Sequence, residues 1–428
     1  MTEVLKERAE QVFLTGVAAA DPAATTASAV RELDPRAAAG GRVAVLAVGK
    51  AAFGMTRAAI EVLGDRVRPA DVLVVAHDEA KRLGHFEALR SGHPLPDERG
   101  QAAAREVERR AAELGAGDLA LLLISGGASA LLPAPAPGVL LEDKVEATRQ
   151  LLRSGATIHE LNAVRKHLST TKGGGLLRRL RPAQVVTLAL SDVVDDDPSV
   201  IGSGPTAPDP STFADARAAL ARCGVLDTCS VRVRARLEAG IRGELEETPK
   251  PGDSVFDGAI HRIVGGNRTS VRAMAAACGG DVEVEPKPLE GEAREVGAAL
   301  ARRFTAAPPP AYVAGGETTV TVRGAGKGGR SQELALAFAL QAAKGPLAER
   351  SDWVFLAAGT DGRDGPTDAA GGIVDAATVN RIRTAGVDPA AAMEENDSYG
   401  ALDAAGALLR TSATGTNVAD LVVFLSKV

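Results

Sequence analysis

Short apolar runs separated by amphipathic stretches organise this chain. Residues 43–48 (VAVLAV), 71–76 (DVLVVA), 118–124 (DLALLLI) and 185–190 (VVTLAL) are almost uninterrupted apolar segments. Strands covered by helices on both faces read this way, because no position looks out to water. Between them, apolar positions recur at helical spacing, predicting helices through Leu63, to about Leu114, and over 141–154, 157–168, 211–222 and 229–240. Residues 2–20 and 25–33 read as two further amphipathic helices, ending near Asp21-Pro22 and Asp34-Pro35. This alternation predicts an α/β, Rossmann-like, mostly parallel sheet with helices on both faces. The pattern breaks at 246–256 (EETPKPGDSVF), read as a linker, so domains are expected over 1–250 and 251–428. Beyond it, strands are expected at 260–266, 282–286, 352–359 and 420–425, with AYVAGG and TTVTV as adjacent strands divided at Gly315-Gly316-Glu317. Helices over 268–278, 292–305 and 331–343 complete a second, smaller α/β unit.

Composition narrows the class of protein. A chain of 428 residues exceeds what one growing core supports. Aromatics make up only 3%, so Ala, Leu and Val must build the interior. A net charge of −6 argues against nucleic acid as a partner, which demands a basic face. It leaves small anions open, since these need only a local positive pocket. Cys223, Cys229 and Cys278 show no CxxC spacing, which argues against a zinc site and fits a reducing cytoplasm. Charges at Glu3, Lys6, Glu7, Arg8 and Glu10 exclude a signal peptide, and no run of 18 uncharged apolar residues predicts a membrane span.

Candidate chemistry gathers in glycine loops and acidic loops. SGGAS (125–129) follows a predicted strand and leads into a helical pattern, where exposed N–H groups suit an anion. TKGGG (171–175) and GAGKGGR (324–330) are loops of the same kind, each with a lysine. Of eleven lysines, three (Lys50, Lys172, Lys327) sit beside glycines at predicted loop–helix junctions, as point charges for phosphate would. Tight turns with a solubilising lysine account equally well for each loop taken alone. After the strand at 185–190, Asp192 and Asp195–Asp197 place four carboxylates within six positions, suited to Mg²⁺ or to a solvated turn. Asp361, Asp364 and Asp368 alternate with glycines in a second acidic loop. His93, in the turn HPLPDE, shapes that turn or touches a substrate. Walker A and GxSxG patterns are absent and no GxGxxG opens the first β-loop-α unit, where the run is G-K-A-A-F-G, which disfavours a P-loop, an acyl-transfer hydrolase and a dinucleotide dehydrogenase.

Taken together, VGKAAFGM (48–55), SGHPLPDE (91–98), ISGGASALL (124–132), NAVRKHLSTTKGGGL (162–176), LSDVVDDDPSVIGSGPT (190–206), GGETTVTVRGAGKGGRSQE (315–333), AAGTDGRDGPTDAAGG (357–372) and TGTNVADL (414–421) resemble the glycerate 2-kinase family. Small departures fall at Val194-Asp195 and Gly202. The resemblance implies a Rossmann-like N-terminal domain, a C-terminal domain containing a MOFRL region at about residues 310–425, and an active site in the cleft between them. It also implies ATP- and Mg²⁺-dependent phosphorylation of D-glycerate to 2-phosphoglycerate. The family's cleft lysine, aspartate and arginine fall on Lys50, Asp192 and Arg330. Asp192 would orient or deprotonate the hydroxyl, or hold Mg²⁺ with Asp195 and Asp197. Ser125, Gly126, Gly127, Ser129, Lys172, Gly173, Gly174, Lys327 and Gly328 would bind the nucleotide. Arg165, Lys166, His93, Asp361 and Asn417 would serve the substrate. An NAD(P)-dependent hydroxypyruvate reductase and a kinase for another small hydroxy acid are the alternatives, and homodimerisation is left open.

Overall fold

Each early apolar run becomes a strand buried along nearly its whole length: β1 (Val43–Val48), β2 (Val72–Ala76), β4 (Leu119–Ile124) and β5 (Gln184–Leu190). Two short or edge strands, β3 (Glu87–Arg90) and β6 (Ile260–Gly265), complete a sheet in the order β3-β2-β1-β4-β5-β6. The pairs β1–β2, β2–β3, β1–β4 and β4–β5 are all parallel. These facts come from a computed structural model that describes residues 2–33, 41–77, 86–193 and 196–427. The expected Rossmann-like architecture is therefore present, down to the strand order of a doubly wound fold. On one side, helices Leu141–Arg153, Ile158–His167, Phe213–Arg222 and Val231–Ile241 bury a cluster of Leu, Val and Ala around Phe213.

The second sheet is mixed. It comprises β7 (Glu283–Val284), β8 (Ala311–Gly316), β9 (Trp353–Gly359), β10 (Gly371–Asp375), β11 (Leu408–Leu409) and β12 (Asp420–Ser426). Their order is β11-β10-β9-β12-β8-β7, so the C-terminal strand lies inside this sheet, antiparallel to both neighbours. One face carries half of the chain's twelve Phe, Tyr and Trp residues: Phe338 stacks on Phe355 with centroids 3.9 Å apart, and Phe304, Tyr312, Trp353 and Phe424 pack around them. The other face is covered by helices Thr2–Ala19 and Asn267–Cys278, through Leu5, Val12, Phe13, Val271 and Met274.

Compact units in the structure divide differently from the expected boundary at 250. One comprises residues 22–191 and 197–264; the other comprises the N-terminal 21 residues, 192–196 and 265–428. Two causes are plain. β6 adds to the first sheet although it follows the linker, and the N-terminal helix pays its apolar face into the second sheet, where Lys6 meets the buried Asp375 at 3.0 Å. TTVTV forms no strand, because only Thr319 bridges, to Glu292. The glycine-rich stretch at 371–372 hid β10, and β3 was too short to stand out. Among the described residues no helix is long and apolar enough to cross a membrane.

Candidate functional site

In a doubly wound sheet, ligands bind beyond the carboxyl ends of strands where the strand order reverses. Here that point lies between β1 and β4, whose next residues are Gly49-Lys50 and Ser125-Gly126-Gly127. The two loops are latched together. Lys50 N–H donates to the Gly126 carbonyl at 2.9 Å, and Ala51 N–H donates to Ser125 Oγ at 3.0 Å. Gly49 adopts φ +136°, and a Cβ there would lie 2.1 Å from Ser125 Oγ. Gly127 adopts φ +84° with the His93 ring directly beneath it. Among the described residues, the Gly126 and Gly127 N–H groups meet no protein acceptor, and the exposed Lys50 ammonium pairs with no carboxylate. Two consecutive open N–H groups beside a free cation form an anion nest. The helix behind it, Ala128–Leu131, is one turn long, so the N–H groups rather than a helix dipole provide the attraction. His93 lies 5.7 Å from His77, ring to ring, and burial followed by the Lys50 and His77 charges lowers its pKa, leaving a neutral imidazole at pH 7.

Lys172 is placed otherwise than a phosphate-contacting lysine would be. It is 3% exposed and donates to both the carbonyl and the hydroxyl of Ser129, each at 2.9 Å. Ser129 Oγ continues to Ser203 Oγ at 3.0 Å, and Ser203 donates to Asn162 Oδ1 at 3.0 Å. This buried chain props the SGGAS loop from below. Burial, with Lys144 and Arg165 close by, pushes the Lys172 ammonium well below its ordinary pKa. Gly173 and Gly174 N–H groups donate to the carbonyls of Ser203 and Gly204, so the KGGG loop is spent on a turn-to-turn clamp. Lys166 is likewise internal, paired with the fully buried Asp209 at 3.2 Å. Arg165 is half-buried and has no acceptor among the described residues.

Lys144 offers a direct check on this buried positive charge. It donates to the Pro133 carbonyl at 2.6 Å, and burial, then Arg165 and Arg236, push its pKa down to about 7. A base depressed in the fold destabilises fully below its folded pKa, and that cost is relieved as pH rises toward the unfolded value. Lys144→Met is therefore expected to exceed the wild type in stability most at pH 7. The gap should narrow by at most about 1.4 kcal/mol per pH unit up to pH 10, read by denaturant melts at each pH.

The acidic segment after β5 holds fewer free oxygens than its sequence promises. Asp192 is half-buried, and Asp195 lies outside the described residues. Asp197 accepts from the Ser199 N–H at 2.8 Å and its hydroxyl at 3.0 Å, using both oxygens in a local turn. Asp196 packs against Gly266, where a Cβ would meet its Oδ1 at 2.4 Å. Among the described residues no group of three His, Cys, Asp or Glu side chains could hold a metal.

In the second unit, Arg330 opens helix Arg330–Ala342 and is gripped by acids. Its Nε and Nη2 donate to the two oxygens of Asp420 at 2.6 and 3.2 Å, and Nη1 donates to Glu317 at 2.5 Å. Burial lowers the guanidinium pKa, but Asp420 and Glu317 outweigh it and hold Arg330 charged. Burial raises Asp420 to about 6 against the pull of Arg330. Asp364 caps the same helix, accepting from Ser331 and Gln332 N–H at 3.2 and 2.7 Å, and burial raises it to about 7. Asn267 donates to the carbonyls of Val418 and Asp420, fixing the strand start that carries Asp420. Asp361 accepts the Arg363 N–H at 3.0 Å, and Asn417 accepts the Ala419 N–H at 3.3 Å, both within their own turns. The GAGKGGR loop is not an open nest. Arg323, Gly324, Gly326 and Lys327 N–H groups all donate to residues 395–397, the Lys327 ammonium sits 4.5 Å above the Tyr399 ring, and Gly328 abuts Ser398. Asn162, Ser203, Glu317 and Asp420 lie inside the quoted family blocks but were given no role from sequence, and Asn267 lies outside them, its nearest hint being Gly265-Gly266.

Comparison with known proteins agrees across the chain. Residues 8–238 match the family described as "Domain of unknown function (DUF4147)", and residues 310–420 match the MOFRL family. A D-glycerate 2-kinase of Thermotoga maritima is 43% identical over 398 residues, spanning 90% of each chain. A protein of Agrobacterium vitis that bears a hydroxypyruvate reductase name is 40% identical, over 97% of this chain and 93% of its own. The crystal structure of a glycerate kinase from Thermotoga maritima superposes with a TM-score of 0.88 at 39% identity, covering 99% of this chain and all of that one.

Proposed function

Because the chain belongs to the glycerate kinase family of joined DUF4147 and MOFRL domains, we propose that it transfers the γ-phosphoryl group of ATP to the 2-hydroxyl of D-glycerate. The observation that carries this reading is the nest at the sheet's switch point: Gly126 and Gly127 N–H groups that, among the described residues, meet no acceptor, beside a Lys50 that pairs with no carboxylate there. Phosphoryl transfer asks little covalent chemistry of a protein and much positioning and charge neutralisation. Gly126 and Gly127 hold nucleotide phosphate oxygens, and Lys50 neutralises charge on the transferring group. Arg330, kept rigid by its bidentate grip on Asp420, offers its Nη1 side to a phosphoryl or carboxylate oxygen in place of the half-exposed Glu317. Asp192 accepts the proton of the attacking hydroxyl. Arg165, whose guanidinium donors meet no acceptor among the described residues, is the remaining candidate for the substrate carboxylate.

Mg²⁺ takes one or two carboxylates and completes its shell with water and phosphate, so the shortage of acid clusters is compatible with it. Asp192 is the described residue that would hold it, and when bound it neutralises the nucleotide's phosphates. Asp197 accepts from Ser199 through both oxygens, which leaves a lone pair on each for the ion.

The reductase reading needs a dinucleotide fingerprint that the first β-loop-α turn, G-K-A-A-F-G, lacks. Two assays on one preparation decide between the readings. ADP is expected to form with ATP and D-glycerate, and NADH absorbance is expected to stay constant with hydroxypyruvate. NADH consumption without ADP formation would overturn the proposal.

A further inference from the structure

The chain carries a net charge of −6, yet one corner of its first unit concentrates positive charge. A groove of about 720 Å³ opens there between helices Gly175–Leu180 and Val231–Ile241. Arg178, Arg179, Arg232 and Arg236 line it, against a single lining acid, Glu246. It shares no lining residue with the nest at Gly49-Lys50 and Ser125–Gly127.

The acids near these arginines hold most of them loosely. Glu246 pairs with Arg178 at 2.8 Å but is 79% exposed, so water competes for it. Asp143 stands 3.7 Å from Arg232, too far for a hydrogen bond. Arg179 reaches Glu108 at 3.2 Å. Among the described residues Arg236 donates only to the carbonyls of His167 and Pro137, at 2.7 and 3.5 Å. Behind it lies Lys144, whose one acceptor among the described residues is the Pro133 carbonyl. Neither Lys144 nor Arg236 meets a carboxylate within 4.0 Å among the described residues. Half-buried guanidinium groups without counter-ions are costly in the fold, and an anion removes that cost.

We propose that this groove is a second binding site, separate from the reaction centre, for a small polyanion bearing at least two phosphate or carboxylate groups. Planar guanidinium forks on two facing helices match such groups two N–H donors at a time. The groove's volume accommodates a metabolite-sized molecule. A single-charge ion would leave most of the forks unmatched, so the site discriminates by charge number.

The test is calorimetric titration of the full chain with pyrophosphate and, separately, with citrate, without nucleotide. Three proteins are compared: wild type, Lys50→Ala, and Arg178→Gln with Arg232→Gln. The glutamine pair is chosen because both arginines are half-exposed, so the substitutions leave the core untouched. At least one probe is expected to bind wild type and Lys50→Ala alike, and to bind the glutamine pair about a hundredfold more weakly. Which probe binds identifies the phosphate or carboxylate class. No binding to wild type, or binding lost in Lys50→Ala and kept in the glutamine pair, would overturn the proposal.

Discussion

Lys50→Ala is expected to lower kcat for glycerate phosphorylation by about 10²- to 10³-fold, roughly 3–4 kcal/mol, and to leave the melting temperature unchanged. The two halves of that outcome have separate causes. The side chain is exposed and pairs with no carboxylate among the described residues, so its removal breaks no contact seen to hold the fold. What fixes the loop is the backbone bond from Lys50 N–H to the Gly126 carbonyl, which alanine keeps. The charge matters only when a phosphoryl group is present, and most while negative charge is moving between donor and acceptor. A loss confined to KM would mean that Lys50 merely attracts the nucleotide. Turnover within about tenfold of wild type would remove Lys50 from the reaction altogether.

Gly49→Ala is expected to be the more destructive change, costing about 3–5 kcal/mol of stability and abolishing turnover. Its added Cβ would stand 2.1 Å from Ser125 Oγ and 2.6 Å from the Ser125 carbonyl oxygen. Neither atom can retreat, because Ser125 N–H is bonded to Val48 and its hydroxyl caps Ala51. The substitution must therefore pry the ends of β1 and β4 apart, and the nest with them. Gly64→Ala separates this clash from simple backbone strain. Gly64 also has positive φ, +56°, yet nothing lies within 4 Å of its would-be Cβ. That variant should lose about 1–3 kcal/mol and keep its activity. Chemical denaturation of both variants reads the difference, and equal losses would show that the contact with Ser125 is not what fixes glycine at 49.

The first sheet and its loop chemistry were legible because both are written locally. Five-to-seven-residue apolar runs ending in glycine name a buried strand and its carboxyl end without help from distant residues, and Lys50 and SGGAS sit at such ends. The fate of the other glycine loops was not written locally. TKGGG and SGGAS look alike in sequence, but the first is tied to residues 203–204 and buries its lysine beneath Ser129. GAGKGGR spends its N–H groups on residues about seventy positions later. Whether a glycine loop is open or occupied depends on partners that no spacing rule reaches. The same holds for Arg330: Glu317 and Asp420 lie in recognisable blocks as it does, but nothing in those blocks says that the three side chains meet. Position in the chain also misled. The N-terminal helix and β6 each join the sheet opposite to the one their sequence neighbours suggest, because apolar faces go where a matching face is exposed.

The position of the new phosphate ester tests the central claim most directly. Phosphorus NMR of the product made from ATP and D-glycerate is expected to show the ester signal split into a doublet by the single methine proton at C2. A triplet, from two methylene protons at C3, or no new ester at all, would contradict it.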